Sequence, residues 1–352
     1  MKTNHVILAV LVVIALAGAR MLESATTDGA RSLKKWKQHH GWGWVWGKDD
    51  EVGSLNEMTN ASRLNAVNLV KHGKVFDLGI SYNRQSYAWP GHSPGEIMSF
   101  RTPEGGKRQA DLGFGVSDAR RTGWHSCAIF MNDNVATQID SLCHATEGDD
   151  NHWYNGFTEA EWGGNWGPRR CDASTIPPIV ARGVLMDVPR VKGLEVLPSH
   201  YPISVQDLKE TLAKQKVQLQ PGDVVLVRTG TLQFWGETGA DHESIDMYDS
   251  AGLTLESARW LVEEHGAMML GTDTSGLEYK PHPSEADDYA EKYKSFMPVH
   301  NYLLIEQGVH IAEFHNLEEL AADGVYEFCY MCTTAKIKGS TAGFALRPIA
   351  LK

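Results

Sequence analysis

The chain has too few cysteines and too little positive charge for several classes of protein. Only five of its 352 residues are cysteine, and an odd count leaves at least one thiol unpaired even if the chain is secreted. The net charge of -11 argues against nucleic acid, whose phosphates require a basic surface. Cys329-x-x-Cys332 has no second Cys-x-x-Cys partner, so we interpret it as structural rather than as part of a zinc or redox site.

Two common catalytic signatures are also missing. No glycine-rich phosphate loop follows a strand and opens a helix, so nucleotide binding has no support. The Gly-x-Ser-x-Gly elbow of serine hydrolases is absent. After the N-terminal segment, no apolar run is long enough to cross a bilayer.

The N-terminal segment has the pattern of a secretory leader. Lys2 precedes an apolar run over residues 6–19, which ends in the small residues Ala17-Gly18-Ala19. We predict a signal peptide over residues 1–19, a polar linker over 20–40 and one large domain over 41–352. The predicted location is outside the cell or in the lumen of the secretory pathway, and the alternative is an uncleaved membrane anchor.

Strand and helix patterns alternate in the second half of the chain, which predicts an α/β core. With 42% hydrophobic residues the chain can bury a large core. The alternating Trp42, Trp44 and Trp46 predict rings on one face of an extended segment, either packed in the core or lining an aromatic pocket. Strands are predicted over residues 182–188, 224–227, 268–270 and 309–313, and helices over 59–72, 204–216, 254–265 and 301–307.

Four possible metal or proton ligands are concentrated between residues 132 and 144. Asn134, Gln138, Asp140 and His144 share parity, so in an extended segment their side chains would line one wall. Clustered oxygen and nitrogen donors are typical of hydrolytic metal sites. The alternative is a polar strand edge with a single carboxylate.

Further candidates lie near the ends of later elements. Asp273 follows a buried strand, where α/β folds often place functional groups. His300 precedes one helix and Glu313 ends the next strand, so the two side chains can converge if that strand returns beside the helix start. A capping or packing role for His300 and a solvated strand end for Glu313 are the alternatives.

Taken together, these segments resemble the cyclase family of metal-dependent hydrolases, which includes bacterial kynurenine formamidase and isatin hydrolase. Thr137-x-x-Asp140-x-x-x-His144 is similar to the core of the family motif His-x-Gly-Thr-His-x-Asp-x-Pro-x-His. The other matching segments follow in the family's order: Trp46-Gly47-x-Asp49-Asp50-Glu51-x-Gly53-x-Leu55-Asn56, Tyr154-Asn155-Gly156, Arg182-Gly183-Val184-Leu185-x-Asp187, Gly222-Asp223-Val224-x-Leu226-x-Arg228-Thr229-Gly230, Gly271-x-Asp273-Thr274, and Pro298-Val299-His300 with Glu313 beyond.

The resemblance implies a swivelling β/α/β-type cyclase-like fold in a single large domain, assembled as a homodimer or homotetramer. It implies one or two divalent metal ions, zinc or manganese. Carried over by position, Asp140 is a metal ligand, His144 is the acid–base group, and His300 and Glu313 are the candidate ligands of a second metal site. Asn134 and Gln138 stand where the family has its two motif histidines, so they are the remaining candidate ligands.

The same resemblance implies the reaction, hydrolysis of an amide C–N bond in a small aromatic substrate. Candidates are an N-formyl arylamine such as N-formylkynurenine, an intermediate of tryptophan catabolism, or a cyclic amide. The departures at Asn134 and Gln138 matter because an amide oxygen is a weaker and harder donor than imidazole nitrogen. The alternatives are therefore a secreted binding protein that has lost its metal, or a ring-closing enzyme.

Overall fold

The computed structural model describes residues 36–44, 46–92, 95–109, 120–236 and 239–352. The predicted signal peptide and most of the predicted linker lie outside these residues. The part of the linker that is described lies against the domain, where the Trp36 indole donates to the Val262 carbonyl at 2.6 Å.

A nine-stranded mixed sheet forms the centre of the domain, in the order β1-β13-β11-β5-β7-β9-β10-β4-β12. β5, β7, β9 and β10 run parallel, and every other pairing in this sheet is antiparallel. The strands are β1 Val75–Asp77, β4 Gln138–Asp140, β5 Ile179–Asp187, β7 Val224–Arg228, β9 Met269–Thr272, β10 His310–Glu313, β11 Glu327–Cys332, β12 Ala342–Gly343 and β13 Ile349–Leu351.

The parallel strands are those that the apolar runs predict, and these four predictions are confirmed to within three residues at each end. Their residues are almost all buried, as expected of strands covered on both faces. Since β5, β7, β9 and β10 run in the same direction, their carboxyl ends lie along the same side of the sheet. Glu313 is the last residue of β10, at the carboxyl end of that strand.

Helices and turns connect these strands. The α-helices are Asn60–Val67, Pro103–Gln109, Glu159–Trp162, Val188–Lys192, Val205–Gln215, His242–Tyr248, Leu255–Arg259, Ala286–Tyr293, Pro298–His300 and Glu318–Asp323. The 3-10 helices are Gly53–Glu57, Tyr154–Gly156, Ala173–Thr175, Thr231–Phe234 and Pro283–Glu285. Thr59, Ser204 and Thr254 each cap a predicted helix by accepting from the backbone N–H three residues later.

Two predicted helices contain π-helical turns. Leu255–Arg259 continues as a π-helix over Trp260–Glu264, and Pro298–His300 continues as one over Asn301–Glu306. Such turns are rare and concentrate at functional sites. His300 lies at the second junction.

The three N-terminal tryptophans do not share a face, so that prediction is wrong. The segment turns instead of extending, and Gly41, Gly43 and Gly47 have positive φ. Trp42 is buried and stacks against Trp46 at 6.2 Å, whereas Trp44 is partly exposed. Trp42 is therefore a core residue.

Two smaller sheets complete the fold. β6 Pro202–Ile203 pairs with β8 Gly252–Leu253, and β2 Glu96–Arg101 pairs with β3 Ser126–Phe130 as a ribbon. The ribbon carries exposed apolar side chains, including Phe100 and Ile129 at 75% and 64% exposure. Within the described part of the chain, no helix combines the length and hydropathy needed to cross a membrane.

Candidate metal centre

The segment between residues 132 and 144 reaches the centre through two turns rather than as one strand. Only Gln138–Asp140 is extended, so the prediction of alternation along the whole segment is wrong. Asn134 precedes a bend in which Ala136 has φ 56°, and the His144 N–H closes a turn by donating to the Ser141 carbonyl at 3.1 Å. The four side chains meet because the chain folds back at both ends of β4.

Strand pairing brings three of the predicted side chains to one face. Gln138 lies directly opposite Glu313 where β4 pairs with β10. Asp140 is two residues beyond Gln138 and so points to the same side of the sheet. The Gln138 amide nitrogen donates to Glu313 Oε2 at 2.7 Å.

Asp140 is fully buried, and one of its two carboxylate oxygens accepts a hydrogen bond. Its Oδ1 accepts from the Asn134 amide nitrogen at 3.0 Å. Its Oδ2 lies 3.9 Å from His144 Nε2 and 3.8 Å from His300 Nε2, with no donor within hydrogen-bond distance among the described residues. A buried carboxylate oxygen left in this way is costly unless a cation satisfies it.

His300 is held by Glu278, a residue that the sequence analysis missed. The Glu278 carboxylate accepts from His300 Nδ1 and from the backbone N–H groups of Val299 and His300. His300 Nε2 then faces Glu313 Oε1 at 3.6 Å. Burial alone would lower the pKa of His300, but the carboxylates of Glu278 and Glu313 outweigh it and hold that pKa well above 6.5.

Glu313 completes the convergence predicted from its spacing to His300. Its Oε2 accepts from Gln138, while its Oε1 is buried without a donor among the residues described. Burial and the nearby charge of Asp140 raise the pKa of Glu313 above its ordinary value. Without a metal, the surroundings therefore favour a proton on His300 and on Glu313.

The donor set fits a divalent cation. Three buried oxygens of the predicted site residues have no donor within the described part of the chain: Asp140 Oδ2, Glu313 Oε1 and Gln138 Oε1. Atoms that share an ion at about 2.0–2.2 Å lie roughly 3.4 Å from one another, close to the 3.6 Å and 3.8 Å separations around His300 Nε2. Asp140, His144 and His300 also offer atoms within 4.8 Å of one another, which is compatible with metal binding.

All six predicted site residues thus lie together, although their roles as ligands or acid–base group stay predictions. Asn134 differs from the rest because its oxygen lies 3.3 Å from the Thr341 hydroxyl and its nitrogen faces Asp140. Of these two amides, Gln138 is therefore the one whose oxygen has no donor among the described residues.

Another histidine missed by the sequence analysis lies near this centre. His92 is half-buried in the loop before the ribbon, and burial and the charge of His144 lower its pKa. No spacing rule links His92 or Glu278 to the 132–144 segment. Both are brought to the centre by loops and can be found only from the fold.

Asp273 lies outside the centre and has a structural role. Its carboxylate is fully buried and accepts from the Thr229 N–H and hydroxyl and from the Gly230 N–H, at 2.7–2.8 Å. Burial raises its pKa to about 6. All five cysteines are free thiols, and four of them are buried.

Comparisons with known proteins identify the family of the chain. The model of the Cyclase family matches residues 76–279. The crystal structure of a novel cyclase is 30% identical, with a TM-score of 0.72 over 87% of this chain and 96% of the other. Isatin hydrolase A from Labrenzia aggregata, bound to benzyl benzoate, is 18% identical, with a TM-score of 0.54 over 83% of this chain and 98% of that one.

An isatin hydrolase bound to the product analogue thioisatinate is 14% identical, with a TM-score of 0.52 over 84% of this chain and 99% of its own. At these identities the two isatin hydrolases show likeness of fold alone. No curated protein sequence matches significantly. The family model and the 30% identical cyclase together cover most of the chain, which therefore belongs to the Cyclase family.

Proposed function

We propose that this protein is a metal-dependent hydrolase that cleaves an amide C–N bond in a small aromatic substrate, either an N-formyl arylamine such as N-formylkynurenine or a cyclic amide. The observation that carries the proposal is the pair of buried carboxylate oxygens without donors, Asp140 Oδ2 and Glu313 Oε1, that lie 3.8 Å and 3.6 Å from His300 Nε2. A fold would not keep such atoms buried beside one another without a cation to satisfy them.

The composition of the donor set indicates which metal the centre prefers. Asp140, Glu313 and Gln138 offer oxygen, and His300 offers nitrogen. Three oxygens and one imidazole suit manganese better than zinc, which binds most strongly to sites rich in histidine and cysteine. A divalent ion there would supply Lewis-acid polarisation of the scissile carbonyl and a lowered pKa for water.

The protein's own groups divide into a buried floor and a more open rim. The side chains of Asp140, His300 and Glu313 are at most 9% exposed, whereas that of His144 is 23% exposed. His144 is thus the polar group of this cluster that a substrate reaches from solvent. Its Nε2 is placed to pass a proton to a leaving nitrogen, which hydrolysis of an amide requires.

The Trp235 ring, which packs against the residue that follows Glu313, supports an aromatic substrate. Phe314 directly follows Glu313, and the Trp235 ring lies 5.3 Å from it. Tyr87 packs edge-on against Phe314 at 6.3 Å. Phe314 and Tyr87 are buried, at 1% and 3% exposure, so the partly exposed Trp235 is the ring of this group that an aryl substrate can reach.

The second candidate, a binding protein of the same fold without a metal, is favoured by the two amides. Asn134 and Gln138 each donate to a carboxylate of the centre and offset part of its charge. This second candidate predicts a protein that takes up no divalent ion and has no hydrolase activity.

One experiment separates the candidates. Protein purified without added metal is analysed for Mn, Zn and Fe, then assayed on N-formylkynurenine and on isatin before and after treatment with a chelator. We expect the purified protein to contain a divalent metal and to hydrolyse one of the two substrate classes. The chelator should abolish this activity, and added Mn²⁺ should restore it. No metal uptake together with no hydrolysis would contradict the proposal, and a cyclised product would establish ring closure instead.

A further inference from the structure

We propose that the cleft between Asp187, Arg190 and Glu318 binds a small organic monocation, a primary amine with a short hydrocarbon chain, whose ammonium group donates to Asp187. The cleft lies at the carboxyl ends of β5 and β7 and has a volume of about 470 Å³. None of the six predicted residues of the metal centre lines it. The proposal therefore goes beyond the proposed function and does not depend on it.

The cleft is separate from the metal centre. Asp187 ends β5 and Glu313 ends β10, and β7 and β9 lie between these two strands in the sheet. Adjacent strands are about 4.8 Å apart, so the axes of β5 and β10 are roughly 14 Å apart. A small ligand in the cleft thus does not touch the groups that the proposed reaction uses.

Asp187 is held on one side only. Its side chain is 1% exposed, and its Oδ1 accepts from Arg228 Nη1 at 3.0 Å. Its Oδ2 is buried and has no donor within the described part of the chain. A buried carboxylate oxygen in this state is costly unless a donor reaches it. The χ2 torsion of aspartate is broad, so a small rotation can turn Oδ2 towards the cleft that Asp187 lines.

Arg228 is engaged by other partners and supplies Asp187 with one nitrogen only. Its Nε and Nη2 donate to the two oxygens of Glu318 at 2.9 Å and 2.8 Å. Nη2 also donates to the Glu195 carbonyl at 3.1 Å. Because the bidentate pair with Glu318 fixes the plane of the guanidinium group, that group cannot turn to serve both oxygens of Asp187. A ligand in the cleft can supply the second donor.

The charge of the cleft favours a cation. Its lining carries three carboxylates and two guanidinium groups, those of Asp187, Glu195, Glu318, Arg190 and Arg228. Three negative charges against two positive ones leave a formal charge of -1. A monocation with N–H donors neutralises this charge and provides the hydrogen bond that Asp187 Oδ2 lacks.

The rest of the lining suits a short hydrocarbon chain. Leu194, Ala321 and Ala322 contribute apolar surface beside the charged groups. An ammonium group bound to Asp187 can therefore place its alkyl chain against these side chains. Apolar walls with a few polar anchors, in cavities of about 300–1,000 Å³, are typical of sites for small molecules.

The first experiment titrates ¹⁵N-labelled protein with n-butylammonium chloride and follows the backbone amide signals in ¹H–¹⁵N spectra. We expect saturable shifts at residues 187–195 and 318–322. The ligand controls are n-butanol, which lacks the charge, and tetramethylammonium, which lacks N–H donors. Each control should bind at least about tenfold more weakly, because the hydrogen bond to the carboxylate needs both a charge and a donor. Equal binding of all three, or no saturable shift with n-butylammonium, would overturn the proposal.

The second experiment measures n-butylammonium affinity in variants. Asp187→Asn should weaken binding at least about tenfold, because a hydrogen bond between charged groups is lost. Ala322→Phe fills the cleft from an exposed position and should abolish binding, which keeps the proposal testable if Asp187→Asn does not fold. Glu319→Gln removes an exposed carboxylate just outside the cleft and is the matched control, expected to keep the affinity of wild type. Unchanged affinity in Ala322→Phe, or an equal loss in Glu319→Gln, would refute the site.

A further variant separates the cleft from the metal centre. Asp140→Asn should bind n-butylammonium as tightly as wild type, because Asp140 lies outside the cleft. Amine binding that disappears in Asp140→Asn and survives in Ala322→Phe would show that the ammonium group occupies the metal centre, and the proposal would fall. A protein that binds no divalent metal would end the proposed function and leave these measurements of amine binding unaffected.

Discussion

The affinity of the centre for divalent metal should rise steeply with pH, because metal and protons compete for the same buried atoms. His300 and Glu313 both have pKa values raised above their ordinary range, the first by Glu278 and Glu313 against the effect of burial, the second by burial and Asp140. The metal-free protein therefore keeps protons on these two groups at a pH where the free side chains would lose them. Metal ligands must be deprotonated, so binding expels these protons.

The size of the effect follows from the number of protons expelled. If binding of one metal ion displaces one proton, the affinity changes about tenfold, or about 1.4 kcal/mol, for each unit by which the pH lies below the pKa of the group that loses the proton. With two such groups the slope reaches about a hundredfold per unit and levels off once the pH exceeds both pKa values.

Stability should follow the opposite trend in the metal-free protein. Both pKa values are raised in the folded state, so the stabilisation they provide is complete below the ordinary values of 4.5 and 6.5. This stabilisation is lost as the pH rises through the pKa values that His300 and Glu313 have in the folded protein. The melting temperature of metal-free protein should therefore fall with rising pH, while that of Mn²⁺-saturated protein should fall less.

Titration with Mn²⁺ between about pH 5.5 and about pH 8.5, with a competing chelator, measures the slope. Glu313→Gln serves as the control, since it removes one of the two groups and should reduce the slope to at most about tenfold per unit. A wild-type affinity that does not change over this range would show that the buried groups hold no displaceable proton, and the reasoning from burial and charge would fail.

Four further predictions concern single features of the chain. Asp140→Asn should remove most bound Mn²⁺ and nearly all turnover with an unchanged circular dichroism spectrum, and a fully active variant would place the centre elsewhere. Asp273→Asn should leave Mn²⁺ affinity unchanged but lower the free energy of unfolding in urea by about 1–3 kcal/mol, because the NH2 group of the substituted side chain would face a buried backbone N–H. Loss of metal binding with unchanged stability would contradict the structural role of Asp273. The homodimer or homotetramer implied by the family should bury the β2–β3 ribbon, so Phe100→Ser with Ile129→Ser should reduce the mass found by light scattering, unless wild type is already monomeric. The mature protein should begin near Arg20, and N-terminal sequencing that finds Met1 in membrane fractions would favour an anchor.

The residues of the centre could be predicted because segments spread over the chain resemble the motifs of one family in their order. The spacing of Asn134, Gln138, Asp140 and His144 alone left a polar strand edge as an alternative. The convergence of His300 and Glu313 follows from a strand that returns beside the start of a helix. The apolar runs of the parallel strands are likewise local signals that burial on both faces demands.

The conformation around Asp140 could not be predicted in the same way. Alternation of residue types suggested one extended segment, but Ala136 adopts positive φ, which sequence propensity disfavours for alanine. Tertiary contacts, such as those of Asp133 with Thr341, hold this bend. Glu278 was missed because its partner is 22 residues away and no periodicity connects them.

The position of β4 in the sheet has a consequence for how the protein folds. β4 is held between β10 and β12, and Gln138 meets Glu313 across 175 residues of chain. Contacts between residues so far apart in the chain tend to form after local ones, so we expect β4 to join the sheet once β10 has paired with β9. The centre is then expected to assemble after the parallel strands have docked. Metal supplied during refolding should be captured in the slowest kinetic phase, and its uptake would report completion of the native topology rather than its nucleation.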